Sequence, residues 1–134
     1  MQRSRLKDIV VDCARPSTLA AFWATVLDYR VAPYDDAEIA RLRAAGIHDI
    51  ADDPSVMVLP PDNGPRIFFV QVPEPKTVKN RLHFDVQLRA GEDLAWLESL
   101  GARVLRPINP AAGPNGTVLL DPEGNEFCAF PPVS

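Results

Sequence analysis

The chain has 134 residues, of which 46% are hydrophobic and 24% are charged, and its formal net charge is −4. This composition is typical of a single soluble globular domain and excludes a disordered or fibrous chain. The mildly acidic balance offers no basic footprint for nucleic acid or for an anionic membrane surface, so neither is expected as a partner. The N-terminus lacks the apolar region of a signal peptide, and no apolar run reaches the length of a membrane span. The two cysteines, Cys13 and Cys128, show no metal-type spacing and predict reduced thiols in a cytoplasmic protein.

The first half of the chain predicts a strand, a helix and further strands. Leu19, Phe22, Trp23 and Val26 recur at helical spacing, and either Ser17 as N-cap or Pro16 as first residue begins that helix. In chain order the predicted elements are a strand at 6–13, a helix at 17–27, a strand at 29–33, a helix at 35–46 and strands at 55–59 and 66–72.

The second half repeats this order. Its predicted elements are a strand at 81–88, a helix at 92–100 and strands at 102–106, 117–120 and 126–130. The helix-to-strand junctions, at 28–31 and 101–104, match between the halves, which favours an internal repeat over a chance ferredoxin-like alternation. We therefore expect one domain, 1–134, made of two βαβββ modules. Module one spans 5–73 with a helical insertion at 34–54, and module two spans 79–132.

Residues 81–88 alternate strictly between apolar and polar side chains. Leu82, Phe84, Val86 and Leu88 share one face, which must pack beneath the following helix. The opposite face carries Arg81, His83, Asp85 and Gln87. It points either to solvent or into a concave cleft.

Other strands contribute to the same predicted surface. If Ile9 and Val11 pack under the first helix, Asp8 faces away from it. In the last strand Phe127 and Ala129 share one face, and the other carries Glu126, Cys128 and Phe130. A curled sheet would then collect aromatic and polar groups, as small-molecule sites do, from Asp8, Phe69, Gln71, His83, Glu126 and Cys128.

Three features together resemble a known protein family. They are the string KNRLHFDV at 79–86, the string DPEGNEFC at 121–128 and the Phe22–Trp23 pair in the first helix. They are similar to the glyoxalase-like domains of the vicinal oxygen chelate superfamily, which also includes glyoxalase I, extradiol dioxygenases, fosfomycin-resistance enzymes and bleomycin-binding proteins. The resemblance implies an α+β fold in which paired βαβββ modules form a curved, partly open mixed sheet around a cleft, with the helices outside. It also implies a homodimer that binds a small molecule.

The resemblance further implies where a metal ion would bind. Superfamily ligands lie on the first, fourth, fifth and eighth strands, which correspond here to Asp8, a residue near Phe69 or Gln71, His83 and Cys128. Only His83 is of the usual type, because Asp8 replaces a His, Gln or Glu and Cys128 replaces a Glu. Glyoxalase I and extradiol dioxygenase activities are therefore disfavoured, and no cofactor is expected. If a metal binds to Asp8, His83 and Cys128, zinc or another divalent transition ion suits them.

Two functions remain open. In the first, the protein is a lyase or isomerase, with His83 as ligand or general base and Glu126 as the proton-transfer carboxylate. Its substrate would contact Phe69, Gln71, Arg81, Asp85 and Phe130. In the alternative, the protein sequesters a ligand without metal, as bleomycin-resistance proteins do, and Phe69, Phe130 and either Trp23 or Tyr34 stack on it. The insertion at 34–54 is interpreted as a lid or, alternatively, as a solvated surface helix.

Overall fold

The computed structural model describes residues 2–109, 111 and 115–133. The chain forms two compact units, Met1–Pro75 and Lys76–Ser134, each with its own four-stranded sheet. The elements of the first unit are β1 (Asp8–Cys13), α1 (Pro16–Leu27), β2 (Arg30–Val31), α2 (Asp36–Ala44), a 3₁₀ helix (Ile50–Asp52), β3 (Ser55–Leu59) and β4 (Arg66–Gln71). Those of the second unit are β5 (Asp85–Gln87), α3 (Leu94–Leu100), β6 (Arg103–Pro107), β7 (Thr117–Leu120) and β8 (Glu126–Phe130). The predicted α+β class with two βαβββ halves is confirmed. Among the described residues, every helix is too short or too polar to cross a membrane.

The sheet of the first unit has the order β1-β4-β3-β2, with β1 parallel to β4 and the other neighbours antiparallel. The register pairs Ile9 with Ile67 and Val11 with Phe69, so these four side chains share one face. Helix α1 packs against β3 and β4, and Ile67 and Phe69 beneath it are 2% and 0% exposed. This face is the core of the unit.

Helix α1 forms because its apolar residues fall on one stripe. Pro16 is its first residue, which suits a position whose N–H would have no partner, and Arg15 provides no side-chain cap. Phe22 and Trp23 are both buried and meet edge to face, with ring centroids 5.1 Å apart. Each contributes about 2 to 3 kcal/mol through burial. Trp23 is thus a core residue rather than a ligand-stacking one.

The segment 34–54 belongs to the packed structure of the first unit. Asp35 caps α2 by accepting a hydrogen bond from the Glu38 N–H at 2.8 Å, and Leu42 is only 2% exposed. The 3₁₀ helix contacts α1, and the Ser17 hydroxyl donates to the Ile50 carbonyl at 3.2 Å. These contacts hold the segment against α1 within the first unit. Its interpretation as a lid stays a prediction.

The sheet of the second unit has the order β5-β8-β7-β6, with β5 parallel to β8 and the remaining neighbours antiparallel. Val86 pairs with Ala129, and Leu119 pairs with Phe127, on a buried face. Leu97 of α3, which is 0% exposed, adds to this core. The predicted faces of the last strand are therefore confirmed by the register.

Strand β5 is shorter than the predicted strand at 81–88. Only Asp85–Gln87 pair as a strand, and Leu82 is 74% exposed instead of buried. Val86 and Leu88 keep the predicted inward orientation. Alternation in the sequence marks where side chains could share a face, but β5 pairs with β8 over only three residues, 128–130.

The two units repeat the same plan. In both sheets the unit's first strand lies next to its last strand, and the third and second strands follow. Both first helices end at a residue of positive φ, Asp28 at 56° and Gly101 at 121°. The matching junctions that the sequence showed are thus matching helix ends.

Candidate small-molecule site

A cavity of about 570 Å³ lies in the second unit, within the range that holds small molecules. Its polar and charged lining comes from Lys79, His83, Asp85, Arg106, Asn109 and Glu126. Its remaining lining comes from Ile108, Val118, Phe127, Cys128 and Phe130. The mixture of an apolar wall with a few polar groups is what a ligand site needs for both burial and orientation.

One row of side chains crosses all four strands beneath this cavity. Asp85 of β5 pairs with Cys128 of β8, Cys128 with Val118 of β7, and Val118 with Arg106 of β6. Paired residues project to the same face, so the row has an acidic edge, an apolar centre and a basic edge.

Arg106 joins this row because β6 is irregular. Val104 pairs with Leu119, so strict alternation would place Leu105 opposite Val118. A register shift between Val104 and Arg106 places Arg106 there instead. Such a β-bulge re-aims a side chain, which is a common arrangement beside binding sites.

His83, Asp85 and Cys128 form a compact group. One ligand atom of each lies within 4.8 Å of the others, and His83 Nδ1 is 3.7 Å from Asp85 Oδ1. His83 and Asp85 have side chains that are 42% and 62% exposed, whereas Cys128 is 9% exposed. Two exposed polar groups thus stand beside a buried sulfur.

Burial, and then the negative charge of Asp85, raise the pKa of the Cys128 thiol. The positive charges of Lys79 and Arg106 act in the opposite direction. Cys128 is therefore a neutral thiol at neutral pH, and a metal ion would have to displace its proton.

Glu126 lies at the start of β8 and is held from two sides. Its Oε2 accepts the Asn80 N–H at 3.0 Å, and its Oε1 is 3.2 Å from Lys76 Nζ. Burial opposes ionisation of this carboxyl group, but the backbone N–H groups of Asn80 and Glu126 and the Lys76 ammonium outweigh it and lower its pKa. Glu126 is thus ionised at neutral pH.

One hydrogen-bond network joins the segments 79–86 and 121–128. Asp121, which is 4% exposed, accepts the Glu123 and Asn125 N–H groups and so shapes the turn between β7 and β8. Asn80 donates to the Asn125 side chain at 3.1 Å and accepts the Glu126 N–H at 3.1 Å. The network holds the segment before β5 against the start of β8 and thereby positions Lys79 and His83.

The apolar end of the cavity depends on Gly116. A Cβ at this residue would overlap Ile108 Cδ1 and would lie 2.7 Å from Phe130 Cε1. Only glycine therefore lets Ile108 and Phe130 approach this closely.

The structure brings together five of the predicted site residues. His83, Asp85, Glu126, Cys128 and Phe130 all line the cavity. Their roles in binding or catalysis stay predictions. Strand alternation was sufficient to find them, because four of the five lie in the central and edge strands of one sheet.

The other predicted residues lie elsewhere. Phe69 is 0% exposed in the core of the first unit, so its predicted position on the polar face is wrong. The parallel register with β1 decides this, because it sets Phe69 beside Val11. Gln71 is exposed, and its amide donates to the Ala14 carbonyl at 3.3 Å. Arg81 is exposed and lies outside the cavity lining among the described residues.

Asp8 is held by Arg66 on the neighbouring strand. Arg66 Nε and Nη2 donate to its two carboxylate oxygens at 2.8 and 3.2 Å, and Lys7 Nζ lies 3.3 Å from one of them. The hydrogen bond from Arg66 lowers the pKa of Asp8, against the effect of burial. Both oxygens are thus already engaged within the first unit.

Several lining residues escaped sequence reasoning. Val118 and Arg106 join the site through strand pairing and a β-bulge, neither of which has a local sequence signal. Ile108 and Asn109 follow β6 in a proline-rich segment that reads only as a loop. Lys79 begins the string KNRLHFDV at 79–86, and its position directly before Asn80 is the one signal that was available.

A family model described as the glyoxalase-like domain matches residues 8–130. The chain belongs to this family. It is thereby a member of the vicinal oxygen chelate superfamily, and the resemblance seen in the sequence is confirmed. A search of the curated proteins finds no match to this glyoxalase-like chain.

Solved structures share the fold at low identity. The fosfomycin resistance protein FosX from Mesorhizobium loti is 14% identical, with a TM-score of 0.61 over 96% of this chain and 92% of that one. FosX from Listeria monocytogenes, solved with Mn(II) and sulfate, is 11% identical, with a TM-score of 0.64 over 98% and 93%. A glyoxalase/bleomycin resistance protein/dioxygenase family enzyme from Burkholderia phytofirmans is 18% identical, with a TM-score of 0.63 over 97% and 100%. At these identities the likeness establishes the fold alone.

Proposed function

We propose that this glyoxalase-like protein binds a small molecule in the cavity of its second unit and acts on it as a lyase or isomerase. The observation that carries the proposal is the row Asp85–Cys128–Val118–Arg106, which gives a cavity of about 570 Å³ both an apolar floor and charged edges. His83, beside this row, is the candidate general base or metal ligand. Glu126 is the candidate proton-transfer carboxylate.

The lowered pKa of Glu126 limits that role. An ionised carboxylate can accept a proton but is a weak base when its pKa is depressed, and efficient bases have a pKa near the working pH. The contacts of Glu126 with Lys76 and the Asn80 N–H support a positioning role as well. Glyoxalase I and extradiol cleavage stay disfavoured, because the donor types around His83 differ from those these reactions use.

The catalytic form of the proposal includes a divalent ion held by His83, Asp85 and Cys128. Imidazole, carboxylate and thiolate are all zinc ligands, and their atoms already lie within 4.8 Å of one another. Asp85 replaces Asp8 in this set, because Arg66 already engages both oxygens of Asp8. The solved FosX complex from Listeria contains Mn(II), but the soft sulfur of Cys128 favours zinc here. A bound zinc ion would act as a Lewis acid on a ligand oxygen.

A second candidate function is metal-free ligand sequestration. The observation that favours it is the raised pKa of Cys128, since a metal ion must displace the thiol proton before it can bind, which weakens metal binding. The aromatic and aliphatic wall of Phe130, Ile108 and Val118 is then the main source of affinity.

Metal analysis of untagged protein separates the two functions. Stoichiometric zinc that is lost in His83→Ala but kept in His48→Ala, a change at the exposed histidine of the insertion, supports the metal-dependent enzyme. Protein without metal that is stabilised by aromatic ligands in a thermal-shift screen supports sequestration. If the protein contains no metal and no ligand stabilises it, small-molecule binding as the function is contradicted.

We also infer a homodimer in the cytoplasm. Superfamily members commonly pair, and two apolar residues at one sheet edge, Leu6 before β1 and Val10 within it, are 72% and 58% exposed. Cys13 and Cys128 form no disulfide among the described residues, and reduced cysteines support a reducing compartment. Light scattering should give twice the chain mass of 14.7 kDa. A mass equal to one chain would refute the dimer.

A further inference from the structure

Two cations line the cavity without a described acidic partner. Lys79 and Arg106 form no side-chain hydrogen bond or ion pair with any residue in 2–109, 111 or 115–133. Of the two acids in the lining, Glu126 is already paired with Lys76, and Asp85 stands beside His83 with a side chain that is 62% exposed. The charges of Lys79 and Arg106 are therefore available to a ligand.

The two cations line the same cavity from opposite edges of the sheet. Lys79 precedes β5 at one edge of the sheet, and Arg106 lies on β6 at the other edge. The β-bulge in β6 turns Arg106, and not Leu105, towards the cavity. Both residues line the cavity together with Cys128, which lies in the central strand β8 between the two edges.

The cavity is also polarised along β8. Glu126, Cys128 and Phe130 project from this strand to one face, and residues two apart in a strand are about 6.7 Å apart. Phe130 and Ile108 form the apolar end, beside Gly116. The charged zone near Cys128 and the apolar end are thus separated by roughly the length of a short organic linker.

We propose that the ligand is a small organic anion whose negatively charged group is bound by Lys79 and Arg106 above Cys128 and whose apolar body rests on Ile108 and Phe130. This inference rests on the proposed function of small-molecule binding and adds the chemical class of the ligand. Arginine and lysine bind carboxylates and phosphonates through charge-assisted hydrogen bonds. We propose that the charged group of this ligand is a carboxylate.

The test compares 3-phenylpropionate with its neutral isostere 3-phenylpropionamide by NMR titration of the full-length protein, with the amides of Val118 and Cys128 as reporters. We expect the carboxylate to bind about tenfold more tightly, and Arg106→Gln and Lys79→Gln each to weaken it by about fivefold without changing the affinity of the amide. Arg103→Gln is the matched control, because Arg103 is exposed on the same strand outside the cavity lining. The affinity of the carboxylate should also fall as salt is added.

The outcomes test two claims separately: that the ligand is an anion, and that the cavity binds a small molecule at all. Equal binding of carboxylate and amide, or an unchanged carboxylate affinity in both cavity variants, overturns the anion inference and leaves small-molecule binding intact. Absence of binding by either probe counts against both. Tighter binding of 2-phenylethylphosphonate than of the carboxylate, with the same loss in Arg106→Gln, supports the organic anion and assigns it to the phosphonate type.

Discussion

Half-buried Tyr34 and buried Asp53 form a polar pair at the two ends of the inserted segment. The Tyr34 hydroxyl donates to Asp53 Oδ2 at 2.7 Å, and Asp53, which is 3% exposed, also accepts the Ser55 N–H at 3.0 Å. Burial, and then the hydrogen bond to Asp53, raise the pKa of Tyr34. This pair ties the insertion to the start of β3.

We expect Tyr34→Phe to lower the free energy of unfolding by about 1 to 3 kcal/mol at pH 7, because it leaves a buried carboxylate oxygen without its donor. The native pKa lies above the ordinary value of 10.0, so the stabilisation is complete below pH 10 and is lost as the pH rises further. Urea titrations of the parent protein and of Tyr34→Phe at neutral and alkaline pH measure both free energies of unfolding. The difference between them should shrink above pH 10.

Tyr29→Phe is the matched control for this prediction. The Tyr29 hydroxyl donates to the neutral Pro65 carbonyl at 3.0 Å, so its loss should cost only about 0.5 to 1.5 kcal/mol. If Tyr34→Phe costs no more than Tyr29→Phe, the pair with Asp53 is not a distinct stabilising contact.

At the scale of the elements, helices α1 and α3 both end at a residue of positive φ, but the residue types differ. Asp28 ends α1 at a φ of 56°, whereas Gly101 ends α3 at 121°. A Cβ strains this left-handed region, and glycine relieves the strain.

Asp28→Gly should therefore raise the free energy of unfolding by about 0.5 kcal/mol. The reverse change, Gly101→Ala, should lower it by about 1 kcal/mol or more, because the new Cβ would also lie 3.2 Å from Pro122 Cγ. Thermal and urea unfolding of the two variants measure both effects. A loss of stability in Asp28→Gly would show that the Asp28 side chain contributes more than its backbone costs.

Helix α2 is held by one buried leucine. Leu42→Ala should cost about 2 to 4 kcal/mol, because Leu42 is 2% exposed and its removal leaves a cavity. Arg43→Ala, at an exposed neighbouring position, should stay within about 0.5 kcal/mol of the parent protein. If urea unfolding shows equal effects of the two changes, α2 is a solvated surface helix.

The elements themselves were largely predictable from the sequence, but their pairings were not. Helical spacing located α1, and strand alternation located β8 and both of its faces. Alternation could not reveal that β1 lies parallel to β4, which buries Phe69, or that a bulge in β6 turns Arg106 to the cavity. Both depend on contacts between residues distant in the chain, and a one-residue shift reverses every face.

At the scale of the whole molecule, each unit has its own core. The central strands β4 and β8 are hydrogen bonded on both sides, and Phe69 and Phe127 within them are 0% and 1% exposed. We expect the slowest amide hydrogen exchange in two separate sets, one around β3 and β4 and one around β7 and β8.

A core change should then affect mainly its own set. Phe127→Leu should accelerate exchange in β7 and β8 more than in β3 and β4, and Phe69→Leu should do the reverse, as exchange mass spectrometry can measure. Equal acceleration in both sets by either variant would show that the two cores open as one cooperative unit.

The hydrogen-bond network among Asn80, Asp121, Asn125 and Glu126 has a consequence for protein engineering. It anchors the segment before β5 and the turn before β8 without using Arg106, Ile108 or Val118. A library that randomises these three cavity positions therefore leaves the scaffold's anchoring residues untouched. Selection from such a library would change ligand preference while retaining the strings by which the family is recognised.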